Sequence, residues 1–334
     1  MKILIPGGSG KVGAVLIRGL LAEGHEICVL SRSPEPQTTC AVREVAWDGR
    51  TSGDWSREID GADAVINLAG RSVDCRYTKR NRELILNSRV DSTRVIGEAI
   101  AAAKRPPPVW LQASTATIYA HRFDAANDEA TGILGGAEPD SPSTWRFSID
   151  VAKAWEKTLT DAKTPHTRKV ALRSAMTMSP DSGSVFEVLS RLVRFGLGGR
   201  VGSGRQFVSW IHEADFVRSV DWLIRNEAVE GAVNLAAPNP LPYTDFMAGL
   251  RRAWRMRVGL PAPEWLLEIA TTVLRTESEL VLKSRRVIPG RLLQHGFQFE
   301  FPDWASAAAE LAERSRSWKR NPHLAGPSIP TRPI

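Results

Sequence analysis

Short apolar runs punctuate the first half of the chain, at Ile3–Ile5, Glu26–Leu30, Val42–Ala46, Ala64–Leu68, Val109–Ala113 and Lys169–Leu172. Each has the length of a buried strand. Between several of them, Val12–Ala22, Arg80–Ala103 and Phe147–Thr160 carry apolar residues at helical spacing. Alternation of this kind predicts an α/β fold, a parallel sheet covered by helices on both faces. From about Met178 the regularity breaks. Glycine-rich turns over Phe195–Gly204 precede two more strand-like runs, Phe207–Ile211 and Ala232–Leu235, with a helical segment between them. The remainder is helical and rich in Trp, Arg and Pro, and no internal repeat is visible.

Directly after the first run comes Gly7-Gly8-Ser9-Gly10-Lys11-Val12-Gly13, and an apolar helix follows. Strand, glycine loop and helix in that order form the context in which GxGxxG spacing cradles a dinucleotide. Glycines let the backbone turn tightly and approach a pyrophosphate, which rests on amide N–H groups at the helix start. Gly7, Ser9, Gly10, Lys11, Val12 and Gly13 are therefore the expected contacts. The end of the second strand selects the dinucleotide. An NAD-selective site places Asp or Glu there to accept from the ribose 2′-hydroxyl. This chain reads Val29-Leu30-Ser31-Arg32-Ser33 instead. Arg32 can pair with a 2′-phosphate, Ser31 or Ser33 can donate to it, and Lys11 can add a second positive charge. The expected cofactor is NADP(H). The expected architecture is a Rossmann-like doubly wound parallel sheet over residues 1–172, to which 206–236 returns. A smaller, mainly helical substrate lobe is expected from 173–205 and 237–316, with 317–334 as a loose tail.

Composition narrows the class further. Across 334 residues, 43% are apolar and 24% charged, the profile of a soluble globular protein. Three cysteines, none in CxxC or Cys/His spacing, argue against disulfides and a structural zinc site, so no metal is expected. Forty-four basic against 37 acidic residues give +7, diluted over a long chain. The Arg251–Arg257 run around Trp254 reads as a helix with one buried aromatic and a solvated basic face, not as a nucleic-acid patch. No signal peptide or membrane-spanning run is apparent. The expectation is a cytoplasmic protein, monomer or homodimer, acting on a small molecule, with neither nucleic acid nor membrane as partner.

The motifs resemble the extended short-chain dehydrogenase/reductase superfamily, the NAD(P)-dependent epimerase/dehydratase group. Gly7–Gly13 matches its fingerprint, Asn67-Leu68-Ala69-Gly70 its fourth strand passing under the cofactor, and Ser114-Thr115 the hydroxyl-bearing end of its fifth strand. An atypical subfamily, the epimerase family proteins, is resembled more closely. Its features are matched by Arg76-Tyr77-Thr78, Arg82, Ser88-Arg89, Gly202-Ser203-Gly204-Arg205-Gln206, Ser209-Trp210-Ile211-His212 with Asp215, and Arg286-Val287-Ile288-Pro289 with Gly296-Phe297-Gln298-Phe299. The resemblance implies that Leu68, Ala69 and Gly70 line the cofactor. Thr115 then orients the substrate oxygen and Lys153 holds the nicotinamide ribose.

The resemblance also exposes a departure. The superfamily's chemistry uses a Tyr four residues before that Lys. The residues four beyond the three tyrosines are Asn81, Phe123 and Met247, and Ile149 falls in the Tyr place. The remaining proton sources are Tyr119, His121, water or the substrate itself. Arg76, Tyr77, Trp145, Gln206 and Trp210 are the expected substrate contacts, while His212 and Asp215 read as structural residues opening a helix. Two functions stay open: an oxidoreductase or epimerase with an incomplete Ser/Thr-Tyr-Lys site, or a catalytically silent NADP(H)-binding redox sensor.

Overall fold

A computed structural model describes residues 1–34, 42–138, 143–261 and 283–321. Strand β1 (Lys2–Pro6) leads into helix α1 (Lys11–Ala22), followed by β2 (Glu26–Ser31), β3 (Val42–Ala46) and β4 (Ala64–Asn67). Helix α2 (Lys79–Ala102), β5 (Val109–Thr115), α3 (Ser143–Asp161) and β6 (Arg168–Ser174) continue the alternation. These strands and β10 (Gly231–Leu235) form one seven-stranded sheet in the order β10-β6-β5-β4-β1-β2-β3, with every pair parallel. The chain reverses its direction of travel between β1 and β4. In open α/β sheets the ligand crevice lies outside the strand ends at such a switch point.

Alternate residues of each strand point to opposite faces, and here both faces are covered. Ile3, Ile5, Ile27, Val29, Ala64 and Ile66 pack with Leu16, Ile17 and Leu20 of α1 and with Phe216, Val220 and Leu223 of α5 (Glu213–Arg225). Leu4, Cys28, Leu30 and Val65 face the other way, onto Val95, Ile96 and Ile100 of α2 and Leu159 of α3. That two-sided burial is why the strands read as continuous apolar runs.

The second lobe holds its own core. It is built by α4 (Val185–Arg194), α6 (Tyr243–Ala253) and α8 (Trp304–Arg320), with the short α7 (Gly290–Gln294) packing near β10. Phe186, Val193, Phe246, Leu250, Trp304 and Leu311 are among its buried residues.

Two expectations need correction. The run Phe207–Ile211 is not one strand: it divides at Ser209 into β8 (Phe207–Val208) and β9 (Trp210–His212). The first pairs with β11 (Leu241–Pro242) and the second with β7 (Met176–Met178), each in a separate two-stranded sheet. At the break, the Ser209 hydroxyl donates to the Arg285 carbonyl at 2.6 Å and accepts from the Val287 N–H at 2.8 Å, holding the turn against the 285–287 segment. The expected loose tail from 317 also starts too early, because α8 runs to Arg320. Residues 322–334, Cys40 and the 262–282 part of the expected substrate lobe lie outside the described residues. Among the described residues, no helix is long and apolar enough to cross a membrane and no group of His, Cys, Asp and Glu could hold a metal ion.

Candidate functional site

The loop after β1 owes its shape to two close approaches. Gly7 sits at φ +76°, and a Cβ there would stand 2.6 Å from the Ala69 Cα, so the loop lies directly on the exit of β4. A Cβ on Gly13 would collide with the Gly8 carbonyl, which lets α1 start immediately behind the loop. Gly10, the N-cap of α1, offers no side-chain cap, and the first turn carries no acid. The opening N–H groups of a helix need partners from outside it, so this start is free to receive an anion. Across from it, Asn67 donates to Gln112 Oε1 at 2.9 Å and accepts from the Ala69 N–H at 3.0 Å, fixing the Leu68–Gly70 bend. Ser31 is buried at the end of β2, and Arg32 is exposed beside it. The Lys11 ammonium donates to the Gly183 carbonyl, tying the loop to the second lobe. A backbone cradle of this kind fits a dinucleotide pyrophosphate.

Two strands away, the end of β5 is built from side chains. Thr115 accepts from the Thr117 N–H at 3.1 Å, capping a short turn over Ala116–Ile118, and its own proton remains to be donated. Lys153 on α3 donates to the Gly135 carbonyl at 2.6 Å. Ile149, one helical turn earlier, is buried on the same face. A Cβ on Gly135 would lie 2.8 Å from its Cδ1, and one on Gly136 would lie 3.5 Å from its Cγ2 and 3.6 Å from Lys153 Nζ. Ile149 and Lys153 thus share the Gly135–Gly136 loop, and an alkyl group stands one turn before the ammonium.

Several expected contacts are placed elsewhere. Tyr119 is buried, its hydroxyl donating to Asn234 Oδ1 and accepting from Arg173 Nη1, both at 2.9 Å. Arg173 in turn makes a two-point pair with Glu156 at 2.8 and 2.7 Å, and Glu156 accepts from the Ser114 hydroxyl at 2.6 Å. Burial pushes the Tyr119 phenol above its ordinary value despite Arg173. Its proton is committed to this network, which removes Tyr119 as the free acid. His121 is not a free loop histidine either. Its Nδ1 accepts from the Ser284 N–H at 2.8 Å, and its ring stands edge-on to Phe123 and Trp145 at 5.0 Å. Burial, then the Lys283 charge, holds it below the ordinary histidine range.

Trp210 is fully buried against Trp304, 5.0 Å between ring centres, so it belongs to the lobe's core and not to a pocket wall. Gln206 is buried, and its Nε2 donates to the Val201 carbonyl at 3.1 Å, closing its own turn. Trp145 is buried against His121. Arg76 is exposed. Tyr77 is partly buried, edge-on to Phe147 at 5.0 Å, with its hydroxyl 3.5 Å from Ser148 Oγ. The structural reading of His212 and Asp215 agrees with their contacts. His212 caps α5 and meets Glu310 at 2.9 Å, and the buried Asp215 accepts from the N–H groups of Glu300 and Phe301, both at 2.8 Å.

Sequence reasoning passed over Lys283 and Arg285. Lys283 is 1% exposed and donates to the Thr117 carbonyl at 2.8 Å, while Arg285 Nε reaches Thr117 Oγ1 at 3.2 Å. Two cationic side chains therefore stand two residues from Thr115. The basic run Lys283-Ser284-Arg285-Arg286 was the available signal, but its partners are some 166 residues away.

The profile of the NAD dependent epimerase/dehydratase family matches residues 3–236, and that of DUF1731, a domain of unknown function, matches 262–311. Human epimerase family protein SDR39U1 is 29% identical over 317 residues, covering 93% of this chain and 99% of its own. Epimerase family protein SSP1921 of Staphylococcus saprophyticus is 30% identical over 309 residues, covering 92% and 98%. The crystal structure of human SDR39U1 (isoform 2) with NADPH superposes with a TM-score of 0.81 at 28% identity, over 94% of this chain and 99% of that one. A nucleoside-diphosphate sugar epimerase from Corynebacterium glutamicum gives 0.71 at 26% identity, over 96% of this chain and 62% of its own.

Proposed function

This chain belongs to the NAD dependent epimerase/dehydratase family, and from that premise we propose that it binds NADP(H) and acts as an oxidoreductase or epimerase on a small molecule. The observation that carries the reading is the cradle: Gly7 pressed on Ala69, with the uncapped start of α1 behind it. The human relative crystallised with NADPH supports the choice of cofactor, as do Ser31 and Arg32 where an NAD-selective site carries an acid. A cytoplasmic setting is part of the same proposal.

When bound, NADP(H) supplies or accepts the hydride. The protein's part is binding, orientation and proton handling. Gly7–Gly13 would receive the pyrophosphate, Ser31 and Arg32 the 2′-phosphate, and Leu68–Gly70 would line the cofactor. Lys153 holds the ribose, and Thr115 donates its hydroxyl proton in a hydrogen bond to the substrate oxygen. With Tyr119 committed to Arg173 and Asn234, the transferred proton comes from water or from the substrate's own exchangeable group.

A second reading, a catalytically silent redox sensor, is favoured by one observation: the alkyl side chain of Ile149 one turn before Lys153. A panel of aldehydes and ketones separates the two. Loss of NADPH absorbance with one member supports the enzyme. Tight NADPH binding with no loss of absorbance removes the oxidoreductase, and the sensor is supported when, in addition, no panel member changes configuration in the presence of NADP+, since an epimerase returns the hydride it takes.

A further inference from the structure

The loop after β4 and the start of α2 carry six cationic residues, Arg71, Arg76, Lys79, Arg80, Arg82 and Arg89, against two acids, Asp74 and Glu83. Arg71, Arg82 and Arg89 are all partly buried, and among the described residues their partners are neutral. Arg89 Nη1 donates to the carbonyls of Arg71 at 3.0 Å and Ile85 at 3.1 Å, and its guanidinium lies 4.9 Å from the ring of buried Trp155. Arg71 Nη2 reaches Asn81 Oδ1 at 3.4 Å, while its Nε is buried without a hydrogen-bond partner among the described residues. Arg82 Nε donates to the Tyr77 carbonyl at 2.9 Å, with its guanidinium 5.1 Å from the Phe147 ring.

Three other withdrawn arginines meet carboxylates, whereas Arg168 donates to the carbonyls of Leu223, Ile224 and Val229. Arg173 pairs with Glu156, Arg18 with Asp181 and Glu213, and Arg314 with Glu213 and Glu310. A charge taken out of water is costly unless a counter-charge meets it. Burial pushes Arg89 down to about 10, opposed only by the Tyr77 hydroxyl, so the group stays cationic at neutral pH with no carboxylate acting on it.

Position completes the case. A Cβ on Gly70 would stand 3.2 Å from Arg89 Cζ, and Gly70 follows the Ala69 on which the glycine loop rests. At the other end, the Tyr77 hydroxyl lies 3.5 Å from Ser148, the neighbour of Ile149. The cluster therefore runs from the cofactor cradle to the helix that bears Lys153. The geometry points to an oxyanion subsite in which Arg71 and Arg89, assisted by Arg82, hold a carboxylate or phosphate group of the substrate. It rests on the proposed function in calling that ligand a substrate. The planar guanidinium suits either oxyanion, since its N–H fork matches two oxygens at once.

The same guanidinium chemistry would also suit the cofactor's pyrophosphate, so the test separates the two sources. Inorganic phosphate and oxalate are titrated calorimetrically into the full chain saturated with NADPH, as wild type, Arg71→Gln and Arg82→Gln. Saturable binding to the loaded wild type is expected. It should weaken at least tenfold in Arg71→Gln and several-fold in Arg82→Gln, while NADPH affinity stays within twofold. Absence of saturable binding to the loaded wild type overturns the subsite. So does competition between phosphate and NADPH together with a tenfold loss of NADPH affinity in Arg71→Gln, which assigns the cluster to the cofactor. Should Arg71→Gln fail to fold, the wild type and Arg82→Gln decide by the same criteria. A carbonyl panel without NADPH loss or change of configuration removes the enzyme reading and leaves these binding results standing, so the two failures are distinguishable.

Discussion

The loop that opens α1 and the turn that follows β5 lie two strands apart in the same sheet, yet they are made of different material. The first is backbone: Gly7, Gly10 and Gly13 contribute conformation and access, and their N–H groups are the chemistry. The second is side chains drawn from distant parts of the chain, with Thr115 from β5, Lys153 from α3, and Lys283 and Arg285 from the segment before α7. A site made of consecutive backbone tolerates little local change and depends on distant residues only where they touch it, here at Ala69 and Gly183. A site assembled from separate elements depends on the frame that holds those elements together. Under the β5 end that frame is the Ser114–Glu156–Arg173–Tyr119–Asn234 network, which joins β5, α3, β6 and β10.

Breaking the frame gives the largest expected effect. Glu156→Gln leaves the Arg173 guanidinium, only 10% exposed, without its carboxylate. A loss of about 3–5 kcal/mol is expected from urea unfolding, the scale for removing one member of a buried pair. Tyr119→Phe removes one hydroxyl from the same network and should cost about 1 kcal/mol. If the phenol is purely structural, any turnover measured at saturating NADPH persists in Tyr119→Phe. A thousandfold loss of turnover in that variant would restore Tyr119 as the acid.

At the backbone end, Gly7→Ala meets both a left-handed conformation and the Ala69 backbone. The conformation alone costs about 1–2 kcal/mol, and relief of the contact must move the loop away from β4. NADPH affinity should therefore fall by more than tenfold along with the melting temperature. Gly24→Ala sharpens the point, because Gly24 has φ +77° and nothing within 4 Å of the added Cβ. It should show the conformational cost with NADPH affinity unchanged. Equal loss of affinity in both variants would mean that the loop's contact with Ala69 is irrelevant to binding.

A smaller effect is expected from Arg32→Asp, which exchanges an exposed cation for an anion at the end of β2. NADPH affinity measured by calorimetry should drop by about 1–3 kcal/mol, the scale of a charge-assisted hydrogen bond, and NADH should lose far less. Equal or tighter binding of NADH to the wild type would break the argument from Ser31–Ser33.

The same contrast explains what could be read from the residues alone. The β1 strand, its glycine loop and α1 are contiguous, so spacing and local propensity describe them almost completely. The sheet was legible for a related reason: strands buried on both faces become apolar runs. Side-chain networks leave no such local trace. Tyr119 finds its partners 54 and 115 residues away, and Lys283 finds Thr117 across 166. A tryptophan next to a motif, such as Trp210, looks the same in sequence whether it lines a pocket or stacks on Trp304. The single polar residue inside Phe207–Ile211 gave no sign that its hydroxyl would be claimed by residues 285 and 287. Arg82 and Arg89 were visible in a motif and Arg71 was not, but that none of the three meets a carboxylate among the described residues is a fact of three-dimensional placement.

The smallest expected effect is a pH dependence at the assembled end. His121 is held below its ordinary value of 6.5 by burial first and then by the Lys283 and Arg285 charges, with Glu138 opposing them. Its Nδ1 accepts from the Ser284 N–H, a bond that requires an unprotonated nitrogen. The unfolded chain therefore binds more protons at this site than the folded chain between the lowered value and 6.5. Stability from this residue is fully present above 6.5 and is lost as pH falls through that interval. His121→Asn keeps an acceptor for Ser284 but has no proton to take up. Wild type and variant, unfolded in urea at pH 7.5 and again at pH 5.5, should differ in how much stability the acid shift removes. The wild type should lose more. If the variant loses as much as the wild type, His121 is not a titrating contact between the β5 turn and the 283–287 segment, and Glu138, held below its ordinary 4.5, does not titrate in that window either, so the acid sensitivity lies elsewhere in the chain.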